Sequence, residues 1–346
     1  MDTKWLVVND ELSTLQISEK LYQCAEDLKN GKLVIFPTET VYGLGANALM
    51  ENCINKIYEA KGRPSDNPLI VHIADINQLD YVISDNVPDI FWELIDVFWP
   101  GPVTFVIPKS KHIPDIVTGG KNTVGIRFPS HPVSQALIKL ASVPVAAPSA
   151  NISGKPSPTR PLHLKEMEGR VDWIIDSGTI PLGLESTIIS LASDVPTLLR
   201  PGPITVEKLK EIIPDLIINS NFKEAMAPGM KYRHYAPEAD LYLVEWNDDL
   251  NSVASEVSET ADKLFEKNIN SLILCTDETR SYYSTKGLEF LSMGSRTNLY
   301  DVAKNLFHSI RAIDDMGYTH AIVEGFEETG LGLTIMNRIR KAVMKK

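Results

Sequence analysis

The sequence predicts two layered α/β units, a larger one followed by a smaller. Short β-branched runs bounded by proline or glycine recur through the first 213 residues, with helical patterns between them. The same alternation resumes at residue 241. A length of 346 residues suits two domains at roughly 150 residues each.

The runs 32–36 (KLVIF), 68–73 (PLIVHI), 103–107 (VTFVI), 123–128 (TVGIRF) and 143–147 (VPVAA) read as strands, since β-branched side chains suit a pleated, buried surface. Those at 173–175, 187–191 and 197–199 follow suit. In 51–60, Ile54, Ile57 and Tyr58 fall at i, i+3 and i+4, which predicts a helix with one apolar stripe. Residues 90–98 are apolar on more sides and predict a buried helix stopped by Pro100-Gly101. The pattern ends near residue 213, and 1–213 is taken as the first domain. Residues 214–240 read as a linker: from 219 they hold two Ala-Pro steps, a Pro-Gly, and Lys231 and Arg233 beside His234. Their aromatic and basic content is unusual for a plain spacer. Residues 241–346 then give strand 241–245, helix 253–265, strand 272–275, a helix around 302–313, strand 320–323 and a terminal helix, a small doubly wound, Rossmann-like unit.

Composition narrows the function classes. At 43% hydrophobic and 23% charged, the chain can bury a sizeable core, which excludes disordered, collagen-like and coiled-coil proteins. Lysine and arginine number 34 against 45 aspartates and glutamates, a net charge of −11. That argues against tight nonspecific duplex binding, which phosphate neutralisation drives, though a local basic cleft is compatible with it. Cys24, Cys53 and Cys275 are scattered and odd in number, so a disulfide framework is not expected and a reducing compartment is. The N-terminus lacks a signal-peptide layout, and no apolar run approaches the ~18 residues of a membrane span. A cytoplasmic location, away from membranes, is expected.

Four stretches could carry chemistry. In 36–45 (FPTETVYGLG) a strand ends at proline, and hydroxyls and a carboxylate precede two glycines; a tight hairpin explains it equally well. In 58–72, Lys61 and Arg63 flank Gly62 at a predicted helix end. They could complement the helix dipole or clamp a phosphate. His72, inside a strand, reads first as a core histidine. In 123–129 (TVGIRFP), Arg127 stands in an apolar strand and needs a partner, either a structural carboxylate or one on a ligand. In 146–159 a strand empties into a loop rich in hydroxyls and free N–H groups, the kind of place where open α/β sheets bind ligands. Glu185-Ser186 opens a further strand and Arg200 closes one, so Lys61, Arg63, Arg127 and Arg200 all lie near element ends. That suggests a cationic site for a nucleotide or another anion. HExxH, GxSxG, a Walker A loop and metal-spaced Cys/His clusters are absent, which favours catalysis by positioning and charge stabilisation.

Taken together, FPTETVYGLG, KGRP followed by NPLIVHI, TVGIRFP, APSANISGKPSPT and LESTII closely resemble the YrdC-type domain, in every motif and in their order. With PGMKYRHYAP as linker and GLGLTIMNRIRKA near the end, the chain resembles the long form of the threonylcarbamoyl-AMP synthases. The resemblance implies a twisted open mixed sheet with helices packed on it. It implies a nucleotidyltransferase that converts L-threonine, bicarbonate (or CO2) and ATP into threonylcarbamoyl-AMP and pyrophosphate, with Mg2+ carried on ATP and no side-chain metal motif. The product would serve tRNA threonylcarbamoyltransferase proteins that modify tRNAs reading ANN codons. By the same resemblance Lys61, Arg63, Ser149 and Asn151 are the catalytic set around the phosphates and magnesium. Asn67, Thr123, Ser157, Arg200 and Tyr235 join them on the ATP side. Thr40, His72, Arg127, the backbone at Ala147, and Ser186 would hold threonine, with Arg127 on its carboxylate. The linker would cross the site mouth. His72 and Glu39 are the candidate bases.

The rival readings are an RNA-binding module and an inactive YrdC-like paralogue. Net charge and the lack of aromatic–basic interleaving weigh against the first, and the intact KxR and SxN patterns against the second. Carbamoyl transfer in hydrogenase maturation would need zinc-binding cysteine pairs that the three cysteines do not form. In the second domain Asp277, Glu278, Arg280, Arg296 and Asn298 read as solvated loop residues rather than a second site.

Overall fold

The structure is a computed structural model that describes residues 2–9, 12–218 and 234–344. Most of the linker motif, including Lys231 and Arg233, lies outside the described residues. The chain divides into two compact units. The first comprises Met1–Ser153, Pro158–Pro181 and Glu185–Lys231; the second comprises Gly154–Ser157, Leu182–Leu184 and Tyr232–Lys346.

Among the described residues, the first unit contains one sheet of eleven strands. They are β1 (Lys4–Val7), β2 (Val34–Phe36), β3 (Gly43–Asn47), β4 (Ile70–His72), β5 (Val103–Pro108), β6 (Thr123–Arg127), β7 (Val145–Ala146), β8 (Trp173–Asp176), β9 (Thr187–Ser190), β10 (Thr197–Arg200) and β11 (Ile217–Ile218). Their order is β1-β8-β2-β3-β7-β4-β6-β5-β9-β10-β11. The sheet is mixed, as expected: β4 runs parallel to β6 and β5 to β9, while β2/β3, β3/β7, β4/β7, β5/β6 and β9/β10 are antiparallel. The sheet continues past residue 213, where β11 adds a short edge strand beside β10.

Strand alternation gives the two faces different work. Val71, Phe105, Ile107, Val124, Ile126, Ala146 and Ile189 join the main core with Ile54 and Ile57 of helix Glu51–Lys61 and Phe91, Leu94 and Ile95 of helix Asp89–Phe98. The residues between them point the other way. Over β2, β7 and β8, Val34, Phe36, Val145, Ala147 and Ile175 pack with helices Thr14–Lys29 and Pro132–Ala141. Over β4, β5, β6 and β9 the same face presents His72, Thr104, Arg127 and the small apolar group Ile70, Val106 and Ile188.

The stretch FPTETVYGLG is not a tight hairpin with its glycines in the turn. Gly43 and Gly45 lie inside β3, paired with Phe36 and Val34 of β2. A Cβ on Gly45 would stand 2.7 Å from Phe36 Cε1 and 2.9 Å from Val145 Cγ1, so close packing selects glycine there. The residues between the strands, 37–42, form the buried hydroxyl-rich turn of the site.

The second unit holds β12 (Asp240–Val244), β13 (Ser271–Cys275), β14 (Phe290–Ser292) and β15 (His320–Glu324), all parallel, in the order β12-β15-β13-β14. Helices Leu250–Phe265, Arg280–Thr285, Leu299–Asp315 and Leu331–Val343 alternate with them. At the end of β15 the fully buried Glu324 accepts from Thr279 Oγ1 (2.5 Å), Tyr283 OH (2.6 Å) and Arg296 Nη2 (3.1 Å). Arg296 also lies over the rings of Phe326 and Trp246. It is therefore a packed ion-pair residue rather than a solvated one. No helix among the described residues is long and apolar enough to cross a membrane.

Candidate active site

The sequence delivers Lys61 and Arg63 through a helix stop. Gly62 takes a left-handed conformation (φ 61°), and the N–H groups of Gly62 and Arg63 donate to the carbonyls of Glu59 and Tyr58. The helix thus ends with both cations facing inward, buried, beside the loop after β7. Lys61 Nζ donates to the carbonyls of Ser149 (2.5 Å) and Asn151 (2.6 Å), and Ser153 N–H donates back to the Lys61 carbonyl (2.9 Å). Ser149 Oγ donates to Asn151 Oδ1 (2.6 Å). Arg63 Nη2 donates to the carbonyls of Asn67 and Pro68 (3.2 and 3.0 Å). The KxR and SxN patterns, some ninety residues apart, are one constellation. Asn67 belongs with it, fully buried, and its Oδ1 finds no hydrogen-bond partner among the described residues. Thr123 begins β6 two residues before Gly125, as Pro68 precedes Ile70, so the parallel register sets it at the same end.

The second group is a row across four strands. Register places His72 of β4 beside Arg127 of β6, Arg127 beside Thr104 of β5, and Thr104 beside Ile188 of β9. Arg127 is 4% exposed; its Nη2 pairs with Glu39 Oε1 at 2.8 Å and its Nη1 donates to Thr40 Oγ1 at 2.8 Å. Glu39 Oε2 also accepts from Ser130 N–H (3.2 Å). The partner that a buried arginine requires is thus Glu39 within the chain. Ser186 Oγ lies 2.8 Å from Thr104 Oγ1. Arg200 Nη2 donates to Ser186 Oγ (3.2 Å) and, with Nε, to the Ser186 carbonyl (2.9 and 3.1 Å). Arg200, expected on the ATP side, therefore touches a residue expected on the threonine side. Ala147 N–H is already bonded to the Ile70 carbonyl (2.9 Å), so a ligand contact at the Ala147 backbone would fall to its carbonyl. Ser157 and Tyr235 fall in the second unit.

His72 is fully enclosed. Burial, aided by the Arg127 charge, pushes its pKa down from 6.5 to about 3, so it is neutral at working pH and a weak base. Its Nδ1 is buried with no hydrogen-bond partner among the described residues, an unmet group that a ligand could satisfy. Between about pH 6.5 and about pH 3 the unfolded chain binds a proton here that the folded chain refuses. Folding stability should fall as pH drops through that window, by up to about 1.4 kcal/mol per pH unit from this group. Denaturant titrations in neutral and acidic buffer should show His72→Gln losing that share of acid sensitivity. Equal sensitivity in the variant and the parent would contradict the assignment.

Sequence reasoning missed Thr104 and Thr38. Thr104 links the arginine row to Ser186, and Thr38 Oγ1 lies 2.8 Å from Thr40 Oγ1 while donating to the Val41 carbonyl (2.7 Å).

A mixed sheet carrying this lysine–loop clasp, with a buried arginine row on one face and a parallel α/β unit after it, defines a two-domain protein of the YrdC class. Family comparison agrees over nearly the whole chain. Residues 26–202 match the Sua5/YciO/YrdC model, described as telomere recombination, and residues 204–343 match the model described as threonylcarbamoyl-AMP synthase, C-terminal domain. The chain belongs to this threonylcarbamoyl-AMP synthase family, in the form with the C-terminal domain. It is 44% identical to the threonylcarbamoyl-AMP synthase of Pyrococcus abyssi, covering 93% of this chain and 94% of that one. It is 43% identical to the one from Bacillus subtilis, covering 99% and 98%. The crystal structure of P. abyssi Sua5 complexed with L-threonine superposes with a TM-score of 0.89 at 41% identity, over 99% of this chain and 98% of that one.

Proposed function

We propose that this protein makes L-threonylcarbamoyl-AMP from L-threonine, bicarbonate (or CO2) and ATP, releasing pyrophosphate. The observation that carries the reading is the clasp of buried Lys61 on the carbonyls of Ser149 and Asn151, in the same unit as the Arg127 row. The threonine complex of the P. abyssi relative supports the amino-acid half. Threonine's free amine attacks the one-carbon donor to give a carbamate, losing water if the donor is bicarbonate or a proton to solvent if it is CO2. The carbamate oxygen then attacks the α-phosphorus, and pyrophosphate departs as the Pα–O bond to the β-phosphate breaks. No protein nucleophile takes part, so the work is positioning and charge compensation.

Lys61, Arg63, Ser149, Asn151, Asn67 and Thr123 hold the nucleotide in this reading, joined by Ser157, Arg200 and Tyr235. Asn67 Oδ1 is an acceptor awaiting a donor on the ligand. Thr40, His72, Arg127, the Ala147 carbonyl and Ser186 hold threonine. Its carboxylate must share the Arg127 guanidinium with Glu39 or displace it. Neutral His72 accepts or donates a hydrogen bond through Nδ1 rather than taking up the amine proton. Magnesium fits as a phosphate-borne ion, since it favours oxygen ligands and substrate phosphates. The described residues include no acidic cluster to hold it alone, whereas Ser149 and Asn151 offer oxygen donors beside the phosphate site. Bound there, it would offset charge on the departing pyrophosphate. The product would pass to the proteins that transfer threonylcarbamoyl to tRNA in the cytoplasm.

Pyrophosphate release from the purified protein tests this. Release should require ATP, Mg2+, bicarbonate and L-threonine together. Replacing threonine by serine removes one methyl from a buried pocket and should lower kcat/KM about 10- to 200-fold. Release indifferent to the amino acid would sink the reading.

A further inference from the structure

We infer that helix Leu299–Asp315 of the second unit is a positioning element for the adenylation site, with Arg311 its principal contact. The inference rests on the reading above. Ala303, Lys304, Phe307 and Arg311 fall at helical spacing and form one stripe of that helix. Within the second unit this stripe meets three separate stretches of chain. Arg311 Nη2 donates to the Pro156 carbonyl at 2.5 Å. The Tyr235 ring, buried, lies on the Phe307 ring with centroids 4.9 Å apart, and the Arg338 guanidinium is 5.6 Å from the same Tyr235 ring. Gly183 packs so closely that a Cβ would stand 2.5 Å from Lys304 Cα and 2.7 Å from the Ala303 carbonyl oxygen.

Each of these stretches leads directly to a site residue. Pro156 is five residues beyond Asn151 and adjoins Ser157; Gly183 is three before Ser186. Tyr235 is itself an expected ATP-side residue. Two more contacts tie the first stretch down: Ala236 N–H donates to the Gly154 carbonyl (3.0 Å), and Lys155 pairs with Glu238 (3.4 Å). The backbone of Gly154–Ser157 therefore belongs with the second unit, although it continues directly from the SxN loop. A loop that must hold Ser149 and Asn151 against phosphates is anchored at one end by Lys61 and at the other by Arg311. Misplacing a positioning group by about 1 Å can cost about 100-fold in rate, so releasing one anchor should be felt in the chemistry.

The test uses the full chain with Arg311→Ala and Arg311→Lys, reading kcat and KM for ATP by pyrophosphate release and folding by thermal unfolding. Wild type is measured first, and release without threonine dependence would sink the underlying reading independently of any variant. With wild type active, Arg311→Ala should lose about 10- to 100-fold in kcat/KM for ATP with an unchanged unfolding midpoint. Arg311→Lys, which keeps a cationic donor, should regain most of it. Wild-type kcat/KM in Arg311→Ala would overturn the inference. So would activity lost only in proportion to unfolded protein, or equal losses in both variants.

Discussion

Replacing Lys61 with alanine is expected to lower kcat/KM for ATP by about 10²- to 10³-fold, the largest single effect at this site. The ammonium does two things at once. It is a buried cation at the end of helix Glu51–Lys61, and it ties the Ser149 and Asn151 carbonyls at 2.5 and 2.6 Å. Alanine removes the charge that would face the departing pyrophosphate, and it leaves the buried Asn151 carbonyl and the half-buried Ser149 carbonyl without that donor. Lys61→Arg should rescue poorly, because a planar guanidinium has different reach and donor geometry. Initial rates over an ATP series check this; near-wild-type kcat/KM in Lys61→Ala would show that the clasp only packs the loop.

Arg127→Ala should both destabilise the fold and raise KM for threonine. Breaking a buried ion pair by removing one partner costs about 3–5 kcal/mol, since Glu39 is left buried and unpaired. Double replacement of Arg127 and Glu39 by uncharged residues of similar size should recover much of that stability while leaving threonine binding impaired. The structural role of Arg127 and its proposed role toward threonine separate in this way. Chemical denaturation of the single and double variants reads the first, and the dependence of rate on threonine reads the second. If the double variant regained wild-type KM for threonine, the guanidinium would have no part in substrate binding.

The contiguous parts of the site were legible in the sequence, and the relations across strands were not. Lys61 and Arg63 announce themselves beside Gly62, and Ser149 and Asn151 stand out in a loop of hydroxyls, because helix stops and strand-end loops have local signatures. That Lys61 holds the backbone of Ser149 and Asn151 depends on tertiary packing across about ninety residues, which no local pattern encodes. Thr104 looks like an ordinary member of a β-branched run; only the β5/β6 register, which sets it opposite Arg127, reveals it. Arg127 needed a partner on electrostatic grounds, but naming Glu39 required the fold.

The fold shows the same division. Most predicted strands are present, since β-branched runs between turn residues are strong signals. Helix Thr14–Lys29 escaped prediction although Ile17, Leu21, Cys24 and Leu28 are spaced as one buried face and Ser13 with Gln16 forms a capping box. Exposed Leu15 and Tyr22 blur that stripe. In β3 the glycines mimicked a turn, and only the approach of Phe36 and Val145 explains them. Nothing in the local sequence around Arg311 distinguishes it from a surface helix residue.

In the proposed reaction, carbon from bicarbonate, joined to threonine, ends on the α-phosphate of the nucleotide. Incubating the full chain with labelled bicarbonate, ATP, Mg2+ and L-threonine, and separating the nucleotides promptly, tests it most directly. A labelled adenylate should form in step with pyrophosphate and disappear when threonine is omitted. Pyrophosphate release with no label in any nucleotide product would contradict it.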